Sequence, residues 1–504
     1  VKCGNRHDDE ANDWHLQRDN HVMLLRNGLL GTLVTLACGL VLAQALPSEV
    51  AAALARAKVP LDTVTLLVVD AEGKLPPRLS HRASVAVNPA SVMKLVSTYA
   101  ALDLLGPAYT WHTPVYVEGA VQGGTLFGNL YIKGQGDPKL VLERLWLLLR
   151  RVQGLGIDKI AGDIVLDQSA FETEAADPAS FDGEPLRPYN AAPEALLINF
   201  KSVLMSFVPE PSANIAHVQF EPPLSGVQMQ PSVPLSNAAC GDYRAALKAD
   251  FSDPARIRFE GSYPASCFEK TWSVAYADPK SYNLRAVAGL WRAMGGQLVG
   301  AVREGRVPMR ADTPAQPLLE PAFEVISPPL AELIRDINKF SNNLMARQLF
   351  LTLSLVNTEV AGNSAPAASL AASREIVRRW WQTRIGSDNA PLLDNGAGLS
   401  RDARISAQAL AQLLQSAYRS PWMPELMASL PIVGVDGTLK RNQAAARGSA
   451  HLKTGSLRDV TALAGYVLGA SGKYYVLVAI ANHANANAAR PAFDALLDWT
   501  VRDN

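Results

Sequence analysis

Asn88-Pro89-Ala90-Ser91-Val92-Met93-Lys94 opens the stretch that decides how this chain is read. Asn88 suits a helix N-cap and Pro89 the first helical position. Residues 91–105 are apolar at helical spacing and stop at Gly106-Pro107. Ser91 and Lys94, three apart, share a face of that helix. In its first turn, unpaired N–H groups and the helix dipole favour negative charge developing on the serine. A lysine of depressed pKa can then take the serine proton. A Ser-x-x-Lys pair is expected about once by chance in a chain this long, so alone it reads as the polar edge of an ordinary helix.

Working outward, two more short stretches carry polar groups of the right kind. Ser341-Asn342-Asn343 follows Lys339-Phe340 at the head of a helical stretch. Its ordinary reading is a helix cap. Lys453-Thr454-Gly455-Ser456 follows His451-Leu452 and runs into a strand-like segment. A lysine, a hydroxyl and a glycine on one strand suit a carboxylate approaching close to backbone. The ordinary reading is a surface strand with a turn glycine.

Each stretch alone loses to its ordinary reading, but the ordered set does not. Ser-x-x-Lys, Ser-x-Asn and Lys-Thr-Gly together resemble the signature of penicillin-binding proteins and serine β-lactamases. The gap from Ser91 to Ser341 is about half the chain, and that from Ser341 to Lys453 less than half of it. So large an insertion resembles the D-alanyl-D-alanine carboxypeptidase/endopeptidase family of low-molecular-mass penicillin-binding proteins. Gly134-Gln135-Gly136-Asp137-Pro138, Gly162-Asp163 leading to Asp167, Asp394-Asn395-Gly396-Ala397-Gly398-Leu399-Ser400-Arg401 and Val435-Asp436-Gly437-Thr438-Leu439-Lys440 also look like that family.

The resemblance implies an α/β fold of the penicillin-binding-protein and serine β-lactamase type, a helical cluster plus an antiparallel sheet, with inserted β-rich modules. It implies Ser91 as nucleophile, Lys94 as general base, Ser341 as proton relay and Asn343 as the amide that holds substrate and lysine. Lys453, Thr454, Gly455 and Ser456 would bind substrate, with the Ser91 and Ser456 N–H groups as oxyanion hole. Asn342, where relatives often carry Asp, is expected to point away from the chemistry. The family also has an acidic residue near the cleft, and Asp182 and Glu184 are both candidates. The implied substrate is the peptidoglycan stem peptide, with β-lactams as covalent inhibitors and no cofactor or metal. A serine β-lactamase, which needs fast deacylation, and a non-catalytic wall-binding protein are the alternatives.

The rest of the chain sets the frame. With 47 basic and 47 acidic residues the net charge is zero, and no basic surplus supports nucleic acid as the partner. Hydrophobic residues at 48% and charged residues at 19% describe a globular protein. The eight histidines form no His-Glu-x-x-His pattern, which argues against a zinc peptidase. Met23 begins a basic, then apolar text ending at Ala43-Gln44-Ala45, the form of a cleaved signal peptide. Residues 1–45 are therefore expected to be removed on export to the periplasm, with Met23 as the start. Of four cysteines, Cys3 and Cys38 fall in that segment, so export pairs Cys240 with Cys267.

Residues 63–69 read as a buried strand, 138–153 as a Leu-rich amphipathic helix, and 461–467 with 474–480 as two strands before a closing helix at 488–501. Helical text covers 330–355, 369–383 and 406–418. Strands from both ends enclosing helices suggest one α/β domain with an insertion. The expected division is a catalytic part at 46–110, 135–194 and 326–504. The inserted β modules would take 111–134 and 195–325.

Overall fold

A five-stranded antiparallel sheet joins the two ends of the chain in the computed structural model. The model describes residues 45–503 apart from 173–176, 311–316, 357–366 and 387–388. The expected signal segment, with Cys3 and Cys38, lies outside the described residues except for Ala45. The strand order is Leu79–His81, Val64–Asp70, Tyr474–Asn482, Val460–Leu468, Ala450–Leu457. Val64–Asp70 is buried along its whole length because both faces are covered. Val64, Leu66 and Val68 pack with helices Ser48–Arg56 and Arg490–Val501, while Leu67 and Val69 turn to the helical cluster behind.

That cluster surrounds Lys94–Leu105, which is buried from Lys94 to Leu102. A helix that is apolar all round belongs in the middle of a core, and Leu330–Lys339, Asn343–Val356, Leu370–Arg384 and Ala407–Tyr418 enclose it. The helical text at 330–355 is two helices, parted at Ser341, whose φ of 55° is left-handed. No helix among the described residues is long and apolar enough to cross a membrane.

The insertion has its own core, shared by two large sheets and by helices Leu142–Gly154 and Pro279–Ala293. Here the division differs from expectation. Ile164–Asp167 lies parallel between Leu130–Lys133 and Val302–Gly305, so 135–167 belongs with the insertion rather than with the catalytic part. Parallel neighbours need a long crossover, and Leu142–Gly154 is that crossover helix. The chain is back against the catalytic helices by Phe171, which packs with Ala195, Leu351 and Ala368. Cys240 and Cys267 are joined in a disulfide, with Cα atoms 4.8 Å apart, at the sheet that contains Ser202–Glu210.

Candidate active site

Ser91 sits in a 3₁₀ turn, Ala90–Met93, immediately ahead of helix Lys94–Leu105. Asn88 organises the turn, though not as a simple cap. Its Oδ1 accepts from the Ala90 N–H at 2.9 Å and its Nδ2 donates to the Ser400 carbonyl at 2.8 Å. Its backbone also exchanges hydrogen bonds with the Asn482 side chain. Ala90 is held at φ 47°, a strained conformation for a residue with a Cβ, directly before the serine.

Lys94 is fully buried. Its Nζ lies 2.9 Å from Ser91 Oγ, 2.6 Å from Asn343 Oδ1 and 2.6 Å from the Ala397 carbonyl. Burial, and then the charge of Lys453, hold its pKa well below the ordinary lysine value. A neutral amine has two N–H bonds and one lone pair. Asn343 and Ala397 offer acceptors for the two N–H bonds, which leaves the lone pair for the Ser91 hydroxyl.

Ser341 and Asn343 project from the break between two helices. Asn342 between them caps the second, its Oδ1 accepting from the Met345 N–H at 3.0 Å. Lys453 is buried too, and its Nζ donates to Ser341 Oγ at 2.9 Å and to the Thr454 carbonyl at 2.7 Å. Burial brings its pKa down to about 7. Thr454 Oγ1 lies 2.8 Å from Thr438 Oγ1.

The position of strand Ala450–Leu457 follows from two local facts. Gly455 touches the serine turn: a Cβ there would stand 2.6 Å from the Pro89 carbonyl oxygen and 3.1 Å from the Ser91 nitrogen. Ala450 and Leu452 bond outward to Val433 and Pro431. Alternate residues of a strand aim their backbone groups the same way, so Thr454 and Ser456 face that same side, where the described residues add no named strand to the sheet beyond the bridge of His451 to Ile432. The Ser456 N–H is thus turned toward Ser91 across the Gly455 contact.

A cavity of about 600 Å³ opens from Ser91, Asn343 and Ser456 toward Asp182 and Arg401. Asp182 accepts from the Tyr189 hydroxyl and from Asn190 Nδ2, each at 2.8 Å. Burial pushes its pKa up, but these bonds outweigh it and the net shift is downward. Glu184 does not line this cavity and pairs with Arg187 instead. Of the two candidate acids, only Asp182 lines the cavity that Ser91 also lines.

Three features have no counterpart in the sequence reading. These are the Ala397 carbonyl on Lys94, Arg401 stacked 4.9 Å over Phe181, and Tyr189 on Asp182. The Gly396-Ala397-Gly398 text held a usable signal. Both glycines have positive φ, and a Cβ at Gly398 would strike the Ala90 carbonyl oxygen at 1.9 Å. Among the described residues, no group of three or more His, Cys, Asp or Glu is placed to hold a metal ion.

A helical cluster on an antiparallel sheet, with a serine–lysine pair where they meet, defines the penicillin-binding-protein and serine β-lactamase class of fold. The family is narrower. Residues 46–502 match the model of the D-Ala-D-Ala carboxypeptidase 3 (S13) family, and the chain belongs to that family. It is a serine-type D-alanyl-D-alanine peptidase, a hydrolase. A D-alanyl-D-alanine carboxypeptidase of Actinomadura sp. (strain R39) is 29% identical over 397 residues, which is 76% of this chain and 71% of that protein. The D-alanyl-D-alanine carboxypeptidase DacB of Haemophilus influenzae is 26% identical over 416 residues, covering 80% of this chain and 82% of that one. The crystal structure of penicillin binding protein 4 (dacB) from Haemophilus influenzae superposes with a TM-score of 0.67 at 23% identity. The superposition covers 89% of this chain and 99% of that one.

Proposed function

We propose that the protein is exported to the periplasm and cleaves D-alanyl bonds of peptidoglycan stem peptides through an acyl-enzyme on Ser91, as carboxypeptidase, endopeptidase or both. The observation that carries this reading is the buried Lys94 amine bonded to Asn343 and Ala397, with Ser91 Oγ at 2.9 Å. Neutral Lys94 takes the Ser91 proton as Oγ attacks the carbonyl carbon of the D-alanyl bond. The oxyanion forms between the Ser91 and Ser456 N–H groups. When the intermediate collapses, the C–N bond breaks and the leaving amine takes a proton from Ser341, which Lys453 replenishes; the proton that Lys94 took from Ser91 returns through the site to Lys453, so Lys94 is neutral again and Lys453 charged. Water then attacks the ester, Lys94 accepts its proton, and Ser91 leaves with a proton restored.

Thr454 and Lys453 bind the terminal carboxylate. An anion arriving there raises the pKa of Lys453 from about 7 and fixes its proton in place. Asp182 and Arg401 offer a carboxylate and a guanidinium to the stem on the acyl side. Penicillin, whose lactam carbonyl and carboxylate copy the scissile bond, acylates the same serine.

The test is to incubate residues 46–504 and a Ser91→Ala variant with a pentapeptide muropeptide, a cross-linked dimer and benzylpenicillin. Wild type should release D-alanine, cleave the dimer, or do both, and should carry a penicillin adduct on Ser91 by mass spectrometry. Absence of both turnover and adduct would favour a wall-binding protein, and fast turnover of nitrocefin a β-lactamase. N-terminal sequencing of the exported protein should give a mature end near residue 46.

A further inference from the structure

Ser91 and Ser456 line two cavities, one on either side of the reactive serine. The first holds Asn343, Asp182 and Arg401. The second, of about 500 Å³, takes in Ser341 and Thr454 and continues over the sheet to Arg441, Arg490 and Asp494. We propose that this second groove binds the strand that leaves in an endopeptidase reaction: an acidic peptide joined through its side-chain amine to the D-alanyl residue being cleaved. The inference rests on Ser91 being the residue acylated.

Strand register builds the groove. Thr454 pairs with Leu463 and Ser456 with Thr461, so these four side chains stand on one face of the sheet. Further along that face Leu452, Leu463 and Phe493 belong to the core under helix Arg490–Val501. Toward Ser91 the cover stops, and the first turn of that helix and residues 438–442 become walls around an open trough. Asn442 ties the walls together, its Nδ2 donating to Asp494 Oδ1 at 2.8 Å.

Three observations assign the occupant. First, the two cavities divide the second motif between them. Asn343, bonded to the base, opens on one, and Ser341, bonded to Lys453, opens on the other. The hydroxyl placed to hand a proton to the leaving amine is therefore on the side of the second groove. Second, the groove is far larger than a released alanine, which ends at Thr454, so a carboxypeptidase alone leaves it unused. Third, its charge is positive. Among the described residues Arg441 and Arg490 form no ion pair, and the one hydrogen bond of Arg490 goes to Asn487 Oδ1 at 3.3 Å. Asp494 is engaged by Asn442 and is, among the described residues, the one carboxylate that lines the trough. Arg490 also attracts Asp494, so the two guanidinium groups outnumber the one carboxylate by one positive charge, and guanidinium groups suit carboxylates. A released stem strand brings such carboxylates, whereas a lone alanine brings one that is already accommodated.

The test compares two substrates in wild type and in Arg441→Ala/Arg490→Ala. Benzylpenicillin labelling of Ser91 reports whether the variant keeps an intact reactive serine. The expected result is that kcat/KM for the cross-linked dimer falls at least about tenfold more than for the pentapeptide, mainly through KM. Equal losses, no loss, or a wild type that releases D-alanine but never cleaves the dimer would overturn the proposal. A second readout separates it from the enzyme reading: titration of Ser91→Ala protein with the tetrapeptide muropeptide carrying a free side-chain amine. Binding that weakens in the arginine variant and with added salt supports the groove even where wild type turns over neither substrate. Binding indifferent to both arginines refutes it.

Discussion

Gly455→Ala tests the central contact of the site. A Cβ at this position falls 2.6 Å from the Pro89 carbonyl oxygen, about 0.8 Å short of the 3.4 Å at which ordinary contact begins, and 3.1 Å from the Ser91 and Val92 nitrogens. All three atoms are backbone, so no side-chain rotation relieves the clash; the strand and the serine turn must separate. The proposed oxyanion donors, Ser91 N–H and Ser456 N–H, sit on the two sides of that contact. Losing one such donor costs about 3 kcal/mol of transition-state stabilisation, or roughly a hundredfold in rate. The second-order rate of Ser91 acylation by benzylpenicillin, followed by quenched mass spectrometry, should fall by about that factor. Overpacking also destabilises by about 1–3 kcal/mol, so thermal melting is measured beside it to confirm that the variant is folded at the assay temperature. Gly154→Ala is the control, because a Cβ there meets nothing within 4 Å. A folded Gly455→Ala protein acylated within threefold of wild type would refute the reasoning, since the hole would then tolerate a displaced strand.

Four further outcomes are expected. Lys94→Met should slow acylation by about 10²–10⁴-fold, the usual contribution of a positioned base, with the fold retained because the replacement suits a buried site; a loss under tenfold would remove Lys94 from that role. Lys94 must be neutral to accept the serine proton, so acylation rises with pH through its lowered pKa and is level well below 10.5. A pH–rate profile still climbing at pH 10 would contradict this. Asp182→Ala should lower kcat/KM for the stem peptide more than it lowers penicillin acylation, because the carboxylate lines the acyl-side cavity and is held by Tyr189 and Asn190; equal effects would count against a substrate role. Cys240→Ser/Cys267→Ser should lower stability by about 3 kcal/mol, as the loop closed by the bond spans 27 residues, while penicillin acylation persists. Urea unfolding measures it, and an unchanged midpoint would speak against the bond in solution.

What the sequence revealed and what it hid divide along a physical line. The three motifs were legible because each packs several reactive groups into three or four consecutive residues. The strand at 63–69 and the pair near the C-terminal end were legible because apolar runs bounded by turn residues leave few alternatives. Placement of 135–167 was not, since a parallel pairing such as Leu130 with Ile164 is a long-range choice that local periodicity does not encode. Asp182 and Glu184 were indistinguishable because they stand two apart in one turn, and only the Tyr189 and Asn190 bonds separate them. The Ala397 carbonyl is a backbone group, and any residue type would supply it. The helix cap read at Ser341-Asn342-Asn343 marks the start of Asn343–Val356, but the left-handed φ of Ser341 is a backbone conformation that the residue type does not announce.

The pairing of Val64–Asp70 with Tyr474–Asn482 has a consequence for how the molecule comes into being. Synthesis delivers the first strand early and its neighbour almost last, with the whole insertion made in between. The insertion draws its strands from 112–326 and can close on itself first. Through that interval Val64–Asp70 has only the early parts of its coverings, helices Ser48–Arg56 and Lys94–Leu105, and lacks its neighbouring strand and helix Arg490–Val501. Arg78 later fastens the two ends, stacked on Tyr475 and Trp499 and donating to the Thr500 carbonyl. Lys453 joins Ser341 only when the late strands arrive. Lys453 and Ser341 are therefore brought together only after residue 482 has been made, because the strand that carries Lys453 is held in the sheet through Val460–Leu468 and Tyr474–Asn482.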